Sequence, residues 1–218
     1  MNLADARALT KALINGTGWK CPDDYVINKV LDVCNDYWWK QIARAATSLV
    51  MIDSPDTMTD GTGVYDYSGS NLNANGVYLL VAVEAKFLGR YIKLDYELPS
   101  DRYIYNIAFG QVQALIPSAY TLIGEKINLL PKVNSAQALR IMYVPNNADL
   151  TADTQPLLNG ILSSFTDIVA HDAAQKLVPA GMNASLKEDL RSHERQLNDF
   201  LTSRTRQDGR RIRYVPYE

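Results

Sequence analysis

The chain has 218 residues, of which 47% are hydrophobic and 21% charged, and its formal net charge is −2. A chain of this length can bury a substantial core and is expected to form one or two domains. The near-neutral charge argues against a general electrostatic attraction to nucleic acid or to anionic membranes, so only local clusters of charge need separate attention.

The two cysteines, Cys21 and Cys34, are too few for a disulfide scaffold in a chain of this length. Cys34 falls inside a helical pattern, so we expect a small core residue and a reducing compartment. The N-terminal residues include Asp5, Arg7 and Lys11 without a continuous apolar run, and no signal peptide is predicted. No stretch reaches the ~18 consecutive apolar residues that suggest a membrane span, and we expect a soluble intracellular protein.

Two helices are predicted at the N-terminus. The first covers Leu3 to Ile14, where apolar residues roughly follow the 3.6-residue period. The second begins at Pro22-Asp23-Asp24, because proline and acidic residues suit the first turn of a helix, and it runs to about Ala46. Its core face is predicted from an apolar series: Val26, Val30, Val33, Cys34, Tyr37, Trp38 and Ile42.

Trp38 and Trp39 are adjacent on this second helix. Neighbouring residues on an α-helix point about 100° apart, so one indole is expected in the core and the other at an interface. Both are therefore candidate subunit-interface residues.

The middle of the chain, from Leu49 to Pro145, has the residue pattern of β-structure. Residues 53–76 are rich in Ser, Thr, Asp, Asn and Gly, which predicts a long loop or a loose hairpin. Val77 to Val83 predicts a buried strand, and Tyr103 to Phe109 predicts another strand.

The clearest β signal is the stretch from Tyr120 to Pro145. Alternating residues lead from Tyr120 to Pro131, and a mostly polar turn at residues 132–137 leads into a second apolar run at residues 138–144. We predict that this stretch forms one hairpin.

After residue 145 the period becomes helical. A wide apolar stripe from Leu157 to Leu177 predicts one long bundle helix that ends near Pro179. Ser185 and Glu188 have the spacing of a capping box, which predicts the start of a last helix. A narrower leucine seam marks that helix: Leu186, Leu190, Leu197 and Leu201.

The fold class that follows is α+β, with a helical bundle formed by the N- and C-terminal helices, an inserted antiparallel β subdomain and an extended C-terminal tail. The predicted boundaries are 1–48 and 147–207 for the helical domain, 49–146 for the β subdomain and 208–218 for the tail.

No motif identifies a catalytic, metal or cofactor site. The only histidines, His171 and His193, belong to neither an HExxH motif nor a Cys/His cluster, which argues against zinc. No glycine-rich phosphate loop and no GxSxG elbow occurs. His193 and Leu197 on the last helix are instead candidates for a subunit interface, and the protein is expected to be non-enzymatic, without a metal or cofactor.

A hydrolase remains an alternative, because two carboxylates of the β block could supply a general acid and a base. The residues that could do so are Glu84, Asp95, Glu97 and Asp101.

The C-terminus is the most unusual local stretch. Residues 204–213 contain five arginines and a single acidic residue, Asp208, and two tyrosines follow. The arginines and tyrosines are Arg204, Arg206, Arg210, Arg211, Arg213, Tyr214 and Tyr217. Such a segment can be simply solvated, can contact nucleic-acid phosphates, or can order on a partner protein through arginine–carboxylate pairs and buried tyrosines.

Three motifs in this order carry a family resemblance: Tyr96-Glu-Leu-Pro-Ser-Asp101, Tyr120-x-Leu-x-Gly-Glu-x-Ile-x-Leu-x-Pro131 and Leu139-x-Ile-x-Tyr143-x-Pro145. An amphipathic helix pair precedes them, and a leucine-rich helix pair and an arginine-rich tail follow. With this arrangement, nearly the whole chain resembles the head–tail connector (adaptor) proteins of tailed bacteriophages. The long β block departs from the smallest, all-helical members.

The resemblance implies a structural virion protein at the neck between capsid and tail, assembled in the host cytoplasm. Copies would form a ring, expected to be a dodecamer, beneath the twelvefold portal protein. The ring would extend the channel through which genomic DNA passes without sequence-specific binding, and it would offer a platform to the next tail or nozzle protein, with no membrane partner. The tail arginines and tyrosines, Arg204 to Tyr217, would dock on the portal or on a neighbouring copy.

Alternatives to the adaptor are a tail-tube or stopper protein of the same neck and a nucleic-acid-binding module that acts through the arginine-rich C-terminus.

Overall fold

The computed structural model describes residues 1–68, 71–101, 116–133 and 135–212, and of residues 205–212 it describes the backbone alone. Within these residues the protein is α+β, with five α-helices and two β-sheets. No helix of this part of the chain combines the length and the apolar character needed to cross a membrane. The strand predicted at residues 103–109 lies outside the described residues.

The chain forms two compact units. One, the helical unit, consists of Met1–Val50 with Asn147–Glu218; the other, the β unit, consists of Met51–Asn146. The β unit therefore lies within the sequence of the helical unit.

The described part of the helical unit contains five α-helices, of which the fourth packs against the first, the second and the fifth. They are α1 (Leu3–Gly16), α2 (Asp24–Ala45), α3 (Thr47–Val50), α4 (Asp167–Leu177) and α5 (Ala184–Ile212). Two short 3₁₀ turns precede α4, at Leu157–Gly160 and Ser163–Phe165.

Local side-chain caps begin the first two helices. Asn2 and Asp5 form a reciprocal capping box at the start of α1. Asp23 accepts a hydrogen bond from the Val26 backbone N–H at 2.9 Å and begins α2, as its acidic residues predicted. Each such cap satisfies backbone donors of a first turn and typically stabilises a helix by ~1 kcal/mol.

The core face predicted for α2 is only partly correct. Val26, Val33 and Tyr37 are 38%, 64% and 47% exposed. The buried residues of α2 are Ile27, Leu31, Cys34, Asn35, Trp38, Trp39, Ile42 and Ala43. Because neighbours pack around a wide arc of this helix, both indoles are buried, and the expectation that one of them points away from the core is wrong.

The long helix predicted from Leu157 to Leu177 is interrupted. Leu158, Asn159 and Gly160 have positive φ angles of 50°, 49° and 74°, and regular α-helix begins only at Asp167. The Leu158 N–H donates to Asn35 Oδ1 at 2.8 Å, and the Asn159 side chain accepts from the Ala148 N–H. These side-chain partners replace helical hydrogen bonds and stabilise the turn.

The last helix, α5, differs from its prediction at both ends. It begins at Ala184, so Ser185 lies inside the first turn instead of capping it. The Asn183 side chain donates to the backbone carbonyls of Gln175 and Val178 and so ties the helix start to the end of α4. At the other end α5 continues to Ile212, so residues 208–212 are helical and not extended.

In its described residues the β unit contains two four-stranded sheets. Sheet 1 has the order β1-β8-β3-β4, and sheet 2 has the order β2-β7-β6-β5. The strands are β1 (Ile52–Met58), β2 (Val64–Asp66), β3 (Val77–Phe87), β4 (Arg90–Lys93), β5 (Asp95–Tyr96), β6 (Ala119–Leu122), β7 (Lys126–Leu130) and β8 (Ala138–Pro145). The β5–β6 pair is parallel, which the predicted antiparallel arrangement did not include, and the other pairs are antiparallel.

The hairpin predicted from Tyr120 to Pro145 has a different arrangement. Its first half is itself a hairpin, in which β6 pairs with β7 and Gly124, with φ of 61°, lies in the turn. β8 belongs to the other sheet, between β1 and β3. The prediction missed this because Gly124-Glu125, a turn signal, lies inside what looked like one alternating strand.

The loop predicted at residues 53–76 contains two strands, β1 and β2. The polar composition of β1 fits its place at the edge of sheet 1. Pro55 and Asp56 lie where the register between β1 and β8 shifts, and Asp56 has a φ of 57°. Such a bulge accommodates a proline, which has no N–H to donate to the ladder of hydrogen bonds.

Residues from both sheets share one hydrophobic core, which includes Val83 and Ile141 of sheet 1 and Ile127 of sheet 2. The strand predicted at Val77–Val83 is present, but Leu79 and Val81 are 42% and 39% exposed, so burial is confined to part of it.

Candidate functional site

Three of the four predicted interface residues lie in the chain's own core. Trp38, Trp39 and Leu197 are 7%, 1% and 2% exposed. His193 is half-buried. Packing within this chain explains the three apolar side chains, so an interface has to be sought on other residues.

The Trp38 indole belongs to a buried polar cluster between α2 and α4. Its Nε1–H donates to Asp172 Oδ2 at 3.0 Å, and Lys176 Nζ donates to the same oxygen at 3.0 Å. Lys176 Nζ also lies 3.4 Å from Cys34 Sγ and 5.5 Å from the centre of the Tyr37 ring. Asp172 is only 5% exposed, so these two donors compensate for the loss of water around its carboxylate.

The electrostatics of this cluster indicate a structural role. Burial, followed by the charge of Asp172, raises the pKa of the Cys34 thiol to about 12, so it stays protonated and is a poor nucleophile. Burial works to lower the pKa of Lys176, but the hydrogen bond to Asp172 and the surrounding charges outweigh it and raise that pKa. The lysine therefore remains charged and joins α2 to α4.

The two histidines meet between α4 and α5. The rings of His171 and His193 are 4.4 Å apart between centres, and Nδ1–H of His171 donates to the Asp167 carbonyl at 2.9 Å. Burial and the nearby His171 lower the pKa of His193, and the charges of Asp167 and Asp189 oppose them. The described residues contain no group of three or more potential metal ligands. Sequence spacing alone could not have paired these histidines, because the contact depends on how α5 packs on α4.

The outer face of sheet 1 carries a charged network across its four strands. Arg140 on β8 pairs with Asp53 on β1 and, at 3.7 Å, with Glu84 on β3. Asp56 accepts hydrogen bonds from Lys86 Nζ at 2.6 Å and from the Tyr91 hydroxyl at 2.8 Å. The hydrogen bond from Arg140 lowers the pKa of Asp53 and keeps it ionised. Such cross-strand pairs stabilise a sheet.

The carboxylates proposed for a hydrolase are distributed over both sheets of the β unit. Glu84 belongs to this ion-paired network of sheet 1. Asp95 lies on β5 of sheet 2, and Asp101 lies in a 3₁₀ turn after it. Glu97 follows β5 and donates its backbone N–H to the Tyr120 carbonyl.

The leucine seam of α5 is buried as far as Leu201, and residues 202–204 are exposed. The guanidinium of Arg204 lies 5.5 Å from the Phe200 ring, which itself contacts Phe165. The backbone of Arg206, Arg210 and Arg211 belongs to the helix; Arg213, Tyr214 and Tyr217 lie outside the described residues.

An exposed apolar stripe on α2 is the surface that the sequence pattern pointed to but assigned wrongly. Val26, Val30, Val33 and Tyr37 recur at intervals of four, three and four residues along one face. Val30 is half-buried and the other three are exposed, Val33 most of all. The spacing identified a genuine apolar face, but the neighbouring elements of the helical unit cover the adjacent face instead.

A cleft of about 280 Å³ adjoins the N-terminal half of α2. Tyr25, Lys29 and Asp32 of the helix line it together with Asp149 and Leu150. Asp32 accepts a hydrogen bond from the Leu150 N–H at 2.8 Å and so holds the segment after the β unit against α2.

Comparison with known proteins provides no family assignment: no protein-family model matches the chain, and no curated protein matches it significantly.

Proposed function

We propose that the protein is a non-enzymatic head-to-tail adaptor of a tailed bacteriophage. Copies form a ring under the portal, with twelve copies expected, extend the DNA channel and provide the platform for the next tail component. The resemblance of the strand and turn motifs supports this function, and so does the helical unit whose sequence encloses a β unit.

The observation that carries the proposal is the length of α5. Its last buried leucine among the described side chains is Leu201, but the helix continues to Ile212, about 17 Å further at 1.5 Å per residue. The arginine-rich segment thus lies beyond the leucine seam. A helical arm with arginines at its end suits docking on acidic pockets of a partner protein.

A non-enzymatic role is supported by how the reactive side chains of the described residues are used. The Cys34 thiol is buried and protonated, Asp172 is paired with Lys176, and Glu84 is paired with Arg140. These contacts fit roles of the three groups in packing and in cross-strand pairing.

The test is binding to the portal protein of the same phage. Truncation after Gln207 removes residues 208–218 and is expected to leave a folded chain that no longer joins the portal in a co-sedimentation assay. The triple variant Arg210→Ala/Arg211→Ala/Arg213→Ala should weaken binding at least ~10-fold, because charged interface contacts typically contribute more than 1 kcal/mol each when buried.

The matched control is Arg191→Ala/Arg195→Ala, which removes two exposed arginines from the same helix upstream of the arm. This control should bind the portal normally. Unchanged ring assembly after truncation would contradict the docking role, and tight binding of duplex DNA with a steep salt dependence would favour the nucleic-acid-binding alternative.

A further inference from the structure

The α2 stripe, defined above as Val26, Val30, Val33 and Tyr37, is an apolar helix face that the residues described by the structure leave largely uncovered, with Val30 half-buried. Its spacing of four, three and four residues is that of the seam along which two helices pack side by side. Val33, near the centre of the stripe, is 64% exposed, and Tyr37, at its end, is 47% exposed. Such an exposed apolar patch is suited to packing against a second helix.

We propose that the partner of this stripe is the α2 helix of a second copy of the chain, packed antiparallel across a two-fold axis. A two-fold contact requires a surface that complements itself. The stripe meets this requirement in one register, in which Val30 faces Val33 of the second copy and Val26 faces its Tyr37. The same register continues outward and places Asp23 opposite Lys40 of the second copy.

Charges beside the stripe agree with this register. Lys29 and Asp36 are two helical turns apart on one flank of the stripe. Antiparallel packing brings Lys29 of each copy beside Asp36 of the other, so the two-fold axis generates two equivalent pairs of opposite charge. The antiparallel arrangement also places opposite ends of the helix dipoles together.

Among the described residues, the contacts of these charged groups are partly exposed. Asp36 pairs with Lys40 at 2.6 Å, and Lys29 lies 5.8 Å from the Tyr25 ring centre. Both Asp36 and Lys40 keep large exposed fractions, 48% and 39% of their side chains. Neither contact prevents a second copy from approaching.

The size of the stripe sets the strength of the dimer. From residue 26 to residue 37 it spans about 17 Å. Such a contact falls at the small end of specific interfaces, so we expect a dissociation constant on the order of 100 µM. The contact closes at two copies, so it belongs to the unassembled chain and does not rest on the proposed ring.

The test is sedimentation equilibrium of the full chain from about 10 µM to 1 mM, a range that brackets the expected affinity. The wild type should change from monomer to dimer within it. Val33→Asp should raise the dissociation constant at least ~10-fold, because it places a carboxylate in the centre of the apolar seam.

Charge exchange tests the register itself. Lys29→Asp and Asp36→Lys should each weaken the dimer ~10-fold through like-charge contacts, and the double variant Lys29→Asp/Asp36→Lys should restore wild-type affinity to within about threefold. Circular dichroism verifies that each variant is folded. A wild type that stays monomeric up to about 1 mM, a dimer insensitive to Val33→Asp, or a double variant without rescue overturns the proposal.

Discussion

The helix α2 carries apolar residues on two faces, and the two faces differ in burial. One face, with Leu31 and Trp39 among its residues, is buried by α1 and α4 and contributes to the core of the helical unit. The other, the α2 stripe, is largely exposed, with only Val30 half-buried. Apolar periodicity therefore identifies faces that can be buried. Which of two such faces is buried depends on where the neighbouring elements pack.

The difference in burial between the two faces is tested most strongly by removing a large side chain from the buried face. Trp39→Ala should lower the free energy of unfolding by about 3–5 kcal/mol, because the substitution removes apolar contacts and leaves a cavity where the side chain is 1% exposed. Denaturant unfolding followed by circular dichroism measures this change. A loss below about 1 kcal/mol would show that the site collapses freely or that the indole is not buried.

The polar cluster of Trp38, Asp172 and Lys176 is expected to contribute less to the free energy of unfolding than Trp39. Asp172→Ala should cost about 1–3 kcal/mol, because it leaves the Trp38 Nε1–H without an acceptor in the core. Lys176→Met should cost more, because it leaves the Asp172 carboxylate, whose side chain is only 7% exposed, without its paired cation. The ranking of these two variants by urea unfolding tests the assignment, and a larger loss for Asp172→Ala would contradict it.

The histidine pair predicts how stability depends on pH. The pKa of His193 is lowered from 6.5 in the folded chain, so the unfolded chain binds more protons at mildly acidic pH. The contribution of His193 to the free energy of unfolding should therefore be present at neutral pH and above. It should be lost progressively as the pH falls below about 6.5. Unfolding midpoints of the wild type and of His193→Gln between about pH 7 and pH 5 measure the effect.

In the glutamine variant this part of the pH dependence should disappear. Asp167 and Asp189 face His193 in both chains, and their contribution near the acidic end of the range is common to wild type and variant. Identical pH profiles would contradict the assignment to His193.

The exposed face should give the smallest change in stability. Val33→Ala is expected to alter the free energy of unfolding by no more than about 0.5 kcal/mol, because surface substitutions outside caps and cores rarely do more. The same substitution should weaken self-association of the chain, so one variant separates folding from the proposed contact. A stability loss comparable with that of Trp39→Ala would show that Val33 packs inside the chain.

Features that depend on neighbouring residues were predictable. The start of α2 at Asp23 follows from a carboxylate that reaches the N–H of Val26, three residues away. The α+β class and the strand of Val77 follow from a change in apolar period along the chain. The turn at Gly124 carried its own signal, although the alternation around it concealed the break.

Features that depend on distant residues were not predictable. The interruption at Leu158 needs Asn35, which lies 123 positions earlier in the sequence. The pairing of β8 with β1 rather than with β7 depends on non-local strand contacts, and nothing within β8 specifies its neighbour. The contact between His171 and His193 likewise required two helices to be placed side by side.

By itself the sequence determined the alternation of helical and β regions, the capped start of α2 and the existence of an apolar α2 stripe, because these depend on side chains within a few residues of each other. Only the tertiary structure decided that the stripe remains exposed while both indoles are buried. The physical reason is that burial of a helix face depends on contacts with elements that are far apart in the chain.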